Sequence, residues 1–348
     1  MGTVLTVIFY AIVMVLVFGV LIFIHEFGHF FTARLCGVAV KEFAVGMGPT
    51  VFSWKSKKHD TRYALRAFPI GGFVSMVGED EESEDENAFC NKSVWKRMVI
   101  VVAGAVMNLI LGFLLMLVVV LMQPKIGSTI VADFTADAVS NQQLMVGDEI
   151  IRVDGTRVHS GNEVMYEITN KGYEPIDIVV KRDGEKVTLN NVVFSTVEED
   201  GILFGNIDFM VLEESRSFPN LMKQTFFRSV STVKMVYDSL VGLVSGRFGM
   251  DAVSGPIGVA EVVGSAAKTD YLSFIYIVSV LTINLGVVNL LPFPALDGGR
   301  FVLLAIEGIR RKPLNRNVEG YINFAGLIIL FAFMIFISFK DILKLIFR

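Results

Sequence analysis

The sequence predicts a multi-span α-helical membrane protein of about four transmembrane helices, with a β-hairpin in its first loop and one inserted α+β domain. Three observations lead there. The 348 residues are 53% hydrophobic with a mean hydropathy of +0.58, and the apolar excess is gathered into four runs of spanning length rather than spread evenly. Lys and Arg concentrate in two of the connecting loops. Between the second and third runs the apolar spacing shortens to every second residue and turn signals appear.

The first run covers residues 4–24 and continues helically through 25–35. It has no basic n-region and no small-residue cleavage site before His25, so it is expected to be a retained helix rather than a cleaved leader. The second run, 98–122, is free of charge; the third is 271–291 and the fourth 321–339. Each approaches the ~20 residues needed to cross ~30 Å of hydrocarbon. Ten Lys and Arg lie between Arg34 and Arg97, and five between Arg300 and Arg316. The positive-inside rule puts both loops in the cytoplasm, with the termini and residues 124–270 on the other side. Lys340, Lys344 and Arg348 vote weakly the other way.

Within the first loop, residues 43–77 read as a glycine-containing hairpin with an apolar face turning at 55–60. The acidic run 79–86 repels itself and reads as a solvated loop. It lacks the ligand alternation of a calcium loop. Residues 125–210 form the inserted domain. Strands are expected at 129–133, 149–153, 176–181 and 187–193, with a short helix at 161–170 and turns at Asp154-Gly155 and Asp183-Gly184. Residues 217–245 show apolar side chains at spacings of three and four, a pattern for an amphipathic helix on the membrane surface or the bundle. The chain thus divides into a membrane core (1–124), the insert (125–210), an amphipathic helix with a linker (211–270) and a second membrane core (271–348).

The chemistry sits at the end of the first run, in His25-Glu26-Phe27-Gly28-His29. Residues four apart share a helix face, so both imidazoles reach one Zn²⁺ while Glu26 lies beside its open position, able to take a proton from a bound water. Ionisable groups in a span are costly and usually functional. Zinc needs a third ligand. His59 sits in a polar turn and His159 in the insert, on the wrong side of the membrane. Asp297 follows the third span on the side of His25, in Asn289-Leu-Leu-Pro292-Phe-Pro294-Ala-Leu-Asp297-Gly-Gly, where the prolines break the helix at membrane depth.

These two segments, HEFGHF and NLLPFPALDGG, resemble the site-2 protease family of intramembrane zinc metalloproteases, in the bacterial branch that carries an outer PDZ domain. The resemblance covers nearly the whole chain. It implies His25, His29 and Asp297 as zinc ligands, Glu26 as general base, and Asn289, Pro292 and Pro294 as residues holding an extended substrate near the metal. Gly104 and Asn108 match the family's Gly-x-x-x-Asn pattern, which implies a substrate-facing Asn108; a small-residue helix contact and a polar helix bond explain the pair equally well. The stretch 144–155 is similar to a PDZ domain, and 201–207 to its late strand, so the insert is expected to bind extended peptide by strand addition. Only one such domain fits, where the best-known Gram-negative members have two. The hairpin matches a membrane-associated element of the family, and its exposed strand edge is expected to offer hydrogen bonds to an unwound, extended substrate segment. Expected partners are single-span membrane substrates, such as anti-sigma factors or leftover signal peptides, and lipid; the expected place is the bacterial plasma membrane, with the catalytic site toward the cytoplasm and the PDZ domain outside.

Other classes fare worse. No basic patch with interleaved aromatics suggests nucleic acid. Cys36 and Cys90 are far apart and form no CxxC. A peptidase with its site in a cytoplasmic domain lacks a downstream ligand glutamate. A scaffold has no need of Glu26, and a transporter would show repeats or paired broken helices.

Overall fold

The computed structural model describes residues 2–57, 60–79, 81–199, 201–250 and 253–346; His59 lies outside them. Four helices are long and apolar enough to cross a membrane: Ile8–Leu35, Val94–Met122, Tyr271–Asn289 and Asn317–Lys344. The chain forms two compact units, one of Met1–Gly112 with Ser254–Arg348 and one of Phe113–Val253.

In the first unit, α1 (Gly2–Leu35) meets α2 (Val94–Met122) where Gly28 lies on the α2 backbone. A Cβ there would stand 2.5 Å from the Ala103 carbonyl oxygen, so only glycine permits this approach. The strands β1 (Val40–Lys55) and β2 (Arg62–Met76) form the expected hairpin. Both are bent: residues 42–45 pair on one side with 72–75 and on the other with 62–65, which also pairs with 52–55. Two strands thus make four rungs, with 72–75 along one edge. Val51, Phe52, Trp54 and Phe68 at the far end are more than half exposed.

The second half of this unit is helical. The sequence reading left a linker after residue 245, but α5 (Pro256–Thr269) fills much of it. Its Gly264 sits against the Tyr10 ring of α1, and Asp341 of the last helix accepts a hydrogen bond from the Gly258 amide at 2.9 Å. Asp270 caps α6 (Tyr271–Asn289) by accepting from the Ser273 amide. Helix α6 packs on α2 through Gly286, whose Cβ would meet the Ala105 carbonyl, and through Ser279, which donates to the Gly112 carbonyl at 2.8 Å. The basic segment after the third span also contains a helix, α7 (Asp297–Arg310), before α8 (Arg316–Ile346).

The second unit holds an antiparallel sheet in the order β10-β3-β4-β6-β7, built from β3 (Ile126–Phe134), β4 (Glu149–Val153), β6 (Ile176–Arg182), β7 (Glu185–Val192) and β10 (Phe209–Glu214), with β5 (Thr156–Arg157) on β4. A separate hairpin joins β8 (Ser195–Glu199) and β9 (Ile202–Asn206). Helix α3 (Gly161–Lys171) is capped by Ser160, which accepts from the Glu163 amide, while the Glu163 carboxylate accepts from the His159 amide just before the cap. Val131, Ile150, Val164, Ile168 and Ile178 form the core. Two buried carboxylates tie the loops. Asp148 takes both hydrogen bonds of an Arg182 fork at 2.7 Å, and Asp208 accepts from the Val139 and Ser140 amides and the Ser140 hydroxyl. Helix α4 (Phe218–Val244) buries Gln224, Thr225, Ser229 and Thr232 while exposing Phe226, Val230, Tyr237 and Val241.

Candidate metal centre

The α-helical rise carries His25 and His29 onto one face of α1, four residues apart. Asp297 arrives from the other end of the chain. Helix α6 stops at Asn289, and residues 290–296 turn back without regular structure before α7 begins. Glycines make that return possible. A Cβ on Gly298 would lie 2.2 Å from the Leu291 carbonyl oxygen, and one on Gly299 2.2 Å from that of Phe293. Ala295 holds a left-handed φ of +73° in the same turn.

The three side chains converge. Asp297 Oδ2 stands 3.2 Å from His25 Nε2 and 3.4 Å from His29 Nε2, and the two Nε2 atoms are 3.2 Å apart. Asp297 Oδ2 is buried yet accepts no well-aligned hydrogen bond. Such an orphaned acceptor, facing two ring nitrogens, is expensive unless something else binds there. A zinc ion with ~2.0–2.1 Å bonds in a tetrahedron sets its ligand atoms about 3.3 Å apart, which matches all three edges of this triangle. Among the described residues no other group of His, Cys, Asp and Glu comes together in this way. His159 is instead stacked on Phe227, with ring centroids 3.8 Å apart. Burial would raise the Asp297 carboxyl, but the imidazoles beside it hold it well below the usual carboxylate range.

The far ring nitrogens face α2. His29 Nδ1 lies 2.9 Å from the Ile100 carbonyl oxygen, and His25 Nδ1 lies 3.2 Å from the Asn108 side-chain amide. Between them, Gly104 leaves room for both rings: its Cβ would be 2.4 Å from His29 Nε2 and 2.8 Å from His25 Nε2. A cavity of about 330 Å³ opens onto the triangle, lined by Glu26, Asn289, Glu79 and Arg300 and, from β2, by Phe73, Val74 and Met76. Val74 lines the cavity beside Glu26, and the Cγ of Glu26 approaches Gly72 so closely that a Cβ there would stand 3.3 Å away. Arg300 pairs with Glu79 at 2.6 Å on the cavity wall.

Of the residues singled out in the sequence, His25, Glu26, His29, Asn289 and Asp297 meet at this cavity. Pro292 is exposed, and Pro294 packs against Gly326 of α8; neither lines it. Asn108 is fully buried against His25 rather than open to the cavity. The hairpin was expected to offer a strand edge to substrate, and the part of it that lines the cavity is Phe73, Val74 and Met76; Glu79 and Arg300 were not expected at the site, and no local pattern marks them.

A helical membrane protein with a two-histidine, one-aspartate triangle and a glutamate beside it is, as a class, a membrane zinc metalloprotease. The profile of peptidase family M50 matches residues 13–333, and the chain belongs to that family, the site-2 proteases. A Clostridium acetobutylicum protein that bears the name of a zinc metalloprotease is 36% identical over 345 residues, covering 96% of this chain and 97% of the relative. A Fusobacterium nucleatum protein so named is 35% identical, over 96% and 98%. The Bacillus subtilis regulator of sigma-W protease RasP is 28% identical, over 96% and 98%. The cofactor of this family is Zn²⁺.

Proposed function

We propose that this zinc metalloprotease hydrolyses peptide bonds in transmembrane segments of single-span proteins, with His25, His29 and Asp297 holding the metal and Glu26 acting as general base. The observation that carries the reading is the ligand triangle, whose 3.2–3.4 Å edges fit a tetrahedral zinc. When bound there, zinc supplies a Lewis acid that acidifies water and polarises a carbonyl. The chain's own groups do the rest. Glu26, which lies beside the 72–75 edge, takes the proton of the attacking water and returns it to the leaving amine. Asn289 donates to the substrate backbone. The 72–75 edge supplies hydrogen bonds to a segment that has given up its helical ones. Pro292 and Pro294 act from the second layer, keeping 290–296 out of helical form so that Asp297 reaches the histidines.

The domain reading extends this proposal. Residues 1–124 and 271–348 form the membrane core, and 125–210 a single PDZ domain that takes an extended peptide, supported by its capped helix and by β10, which pairs with β3 alone among the described strands. Residues 211–270 supply the amphipathic helix, whose exposed Phe226, Val230 and Val241 suit lipid. The catalytic site faces the cytoplasm and the PDZ domain lies outside a bacterial plasma membrane, a reading supported by the two basic loops. Anti-sigma factors or remnant signal peptides are the substrates, in keeping with the name of the Bacillus subtilis relative.

The test is cleavage of a single-span model substrate in detergent, with zinc measured on each protein. Glu26→Gln is expected to keep zinc and lose cleavage by about 10²–10⁴-fold; Asp297→Asn is expected to lose both. Normal cleavage by Glu26→Gln would overturn the mechanism.

A further inference from the structure

We infer that Asn108 is a positioning residue for the metal, accepting a hydrogen bond from His25 Nδ1–H and so fixing the tautomer that leaves Nε2 free to coordinate, rather than a group that faces substrate. The inference rests on the proposed ligand role of His25.

Three residues on one face of α2, spaced by four, confront the two imidazoles. Ile100 offers a carbonyl to His29 Nδ1 at 2.9 Å. A carbonyl only accepts, so His29 carries its proton on Nδ1 and points a lone pair from Nε2 into the triangle. Gly104 supplies the clearance. Asn108 stands 3.2 Å from His25 Nδ1, with an exposure of 0%, and so is walled off from any substrate in the cavity. Its Nδ2 is the atom turned toward the ring, while its buried Oδ1 has no hydrogen-bond partner. Nδ2 only donates. In that orientation it would need a bare Nδ1, forcing the His25 proton onto Nε2, where it would meet His29 Nε2 and block coordination. A half-turn of the amide exchanges its two ends. Oδ1 then accepts from Nδ1–H, gains the partner it lacked, and frees the Nε2 lone pair. Metal-binding histidines nearly always donate their second N–H in this way, and loss of that partner typically weakens metal binding about 10–100-fold.

The test uses the full-length protein in detergent, stripped of metal and titrated with Zn²⁺ against a chromophoric chelator. Co²⁺ spectra report coordination separately. Asn108→Leu keeps the shape without an acceptor. It is expected to bind Zn²⁺ about 10–100-fold more weakly and to shift the Co²⁺ bands, with KM unchanged once zinc is saturating. Asn108→Asp restores an acceptor and is expected to recover affinity and spectrum. Should the Leu variant not remain monodisperse, Asn108→Ala takes its place against Asn108→Asp. Wild-type zinc affinity in the Leu or Ala variant, together with a raised KM, would overturn the inference in favour of a substrate-facing residue. An Asp variant as weak as Leu would overturn it too, leaving only a packing role. His25→Ala separates the two layers of argument. If it retains zinc, the ligand assignment itself fails; if it loses zinc while Asn108→Leu does not, only the role of Asn108 fails.

Discussion

Replacing Gly104 by alanine is the most direct strain on the metal centre. The new Cβ would stand 2.4 Å from His29 Nε2 and 2.8 Å from His25 Nε2, whereas ordinary van der Waals contact begins near 3.4 Å. The rings must therefore retreat by about 1.0 and 0.6 Å, against the ±0.2 Å that a zinc site tolerates in its ligand distances. They cannot pivot freely, because His29 is held at Ile100 and His25 lies against Asn108. Overpacking of this size costs about 1–3 kcal/mol, which is roughly 5- to 150-fold in zinc affinity at 1.4 kcal/mol per tenfold. Chelator competition on the metal-free protein measures it. Gly112→Ala is the control: its Cβ would meet Ile283 at 2.4 Å, a similar overlap between α2 and α6 without a ligand involved. It should lower the thermal midpoint and leave zinc affinity within about twofold, as expected for independent sites. Zinc binding by Gly104→Ala as tight as that of the wild type would refute the reasoning.

Further outcomes follow from other elements. Val74→Pro breaks the 72–75 edge; cleavage should slow with zinc content unchanged, and an unaltered rate would exclude that edge from substrate handling. Asp208→Ala strands the half-buried Val139 amide, the buried Ser140 amide and the Ser140 hydroxyl, a loss of about 1–3 kcal/mol, visible as faster hydrogen exchange at residues 139 and 140. Ala295→Gly relieves a left-handed alanine, and about 1 kcal/mol of added stability is expected in the thermal midpoint of the metal-free protein.

The parts of this fold that were legible in the sequence are those where a single segment carries its own signal. Four apolar runs announce the spans because each must hide its peptide groups alone. His25 and His29 announce a metal site because the helix by itself puts them on one face. The strand pattern of the insert reads through to β4, β6 and β7 almost residue for residue. Helices α5 and α7 did not read. Helix α5 is short, and its Gly258 and Gly264 matter only against Asp341 and Tyr10. In α7, Arg300, Arg310 and Arg311 drew attention to charge while Phe301 and Leu304 packed inward beside Ile100 and Val101. At the site, the family resemblance implied Asn108 as a substrate contact, with a polar bond between helices equally open. Its nearness to His25 depends on how α2 docks on α1 at Gly28, a register that neither helix encodes alone.

His29 and Asp297 lie 268 positions apart, so the histidines leave the ribosome long before the carboxylate that completes their set. Until α7 has been made and folded back, a nascent chain offers zinc two imidazoles and nothing to close the triangle. Closing a loop of that length costs entropy that grows only as about (3/2)RT ln n, so the delay is one of synthesis rather than of energy. On the proposed function the substrate is a lone hydrophobic helix, and the protease is itself, early in its making, a lone hydrophobic helix. With the proposed ligands split between the two halves of the chain, each new copy would stay inert until it had ceased to look like the proposed substrate.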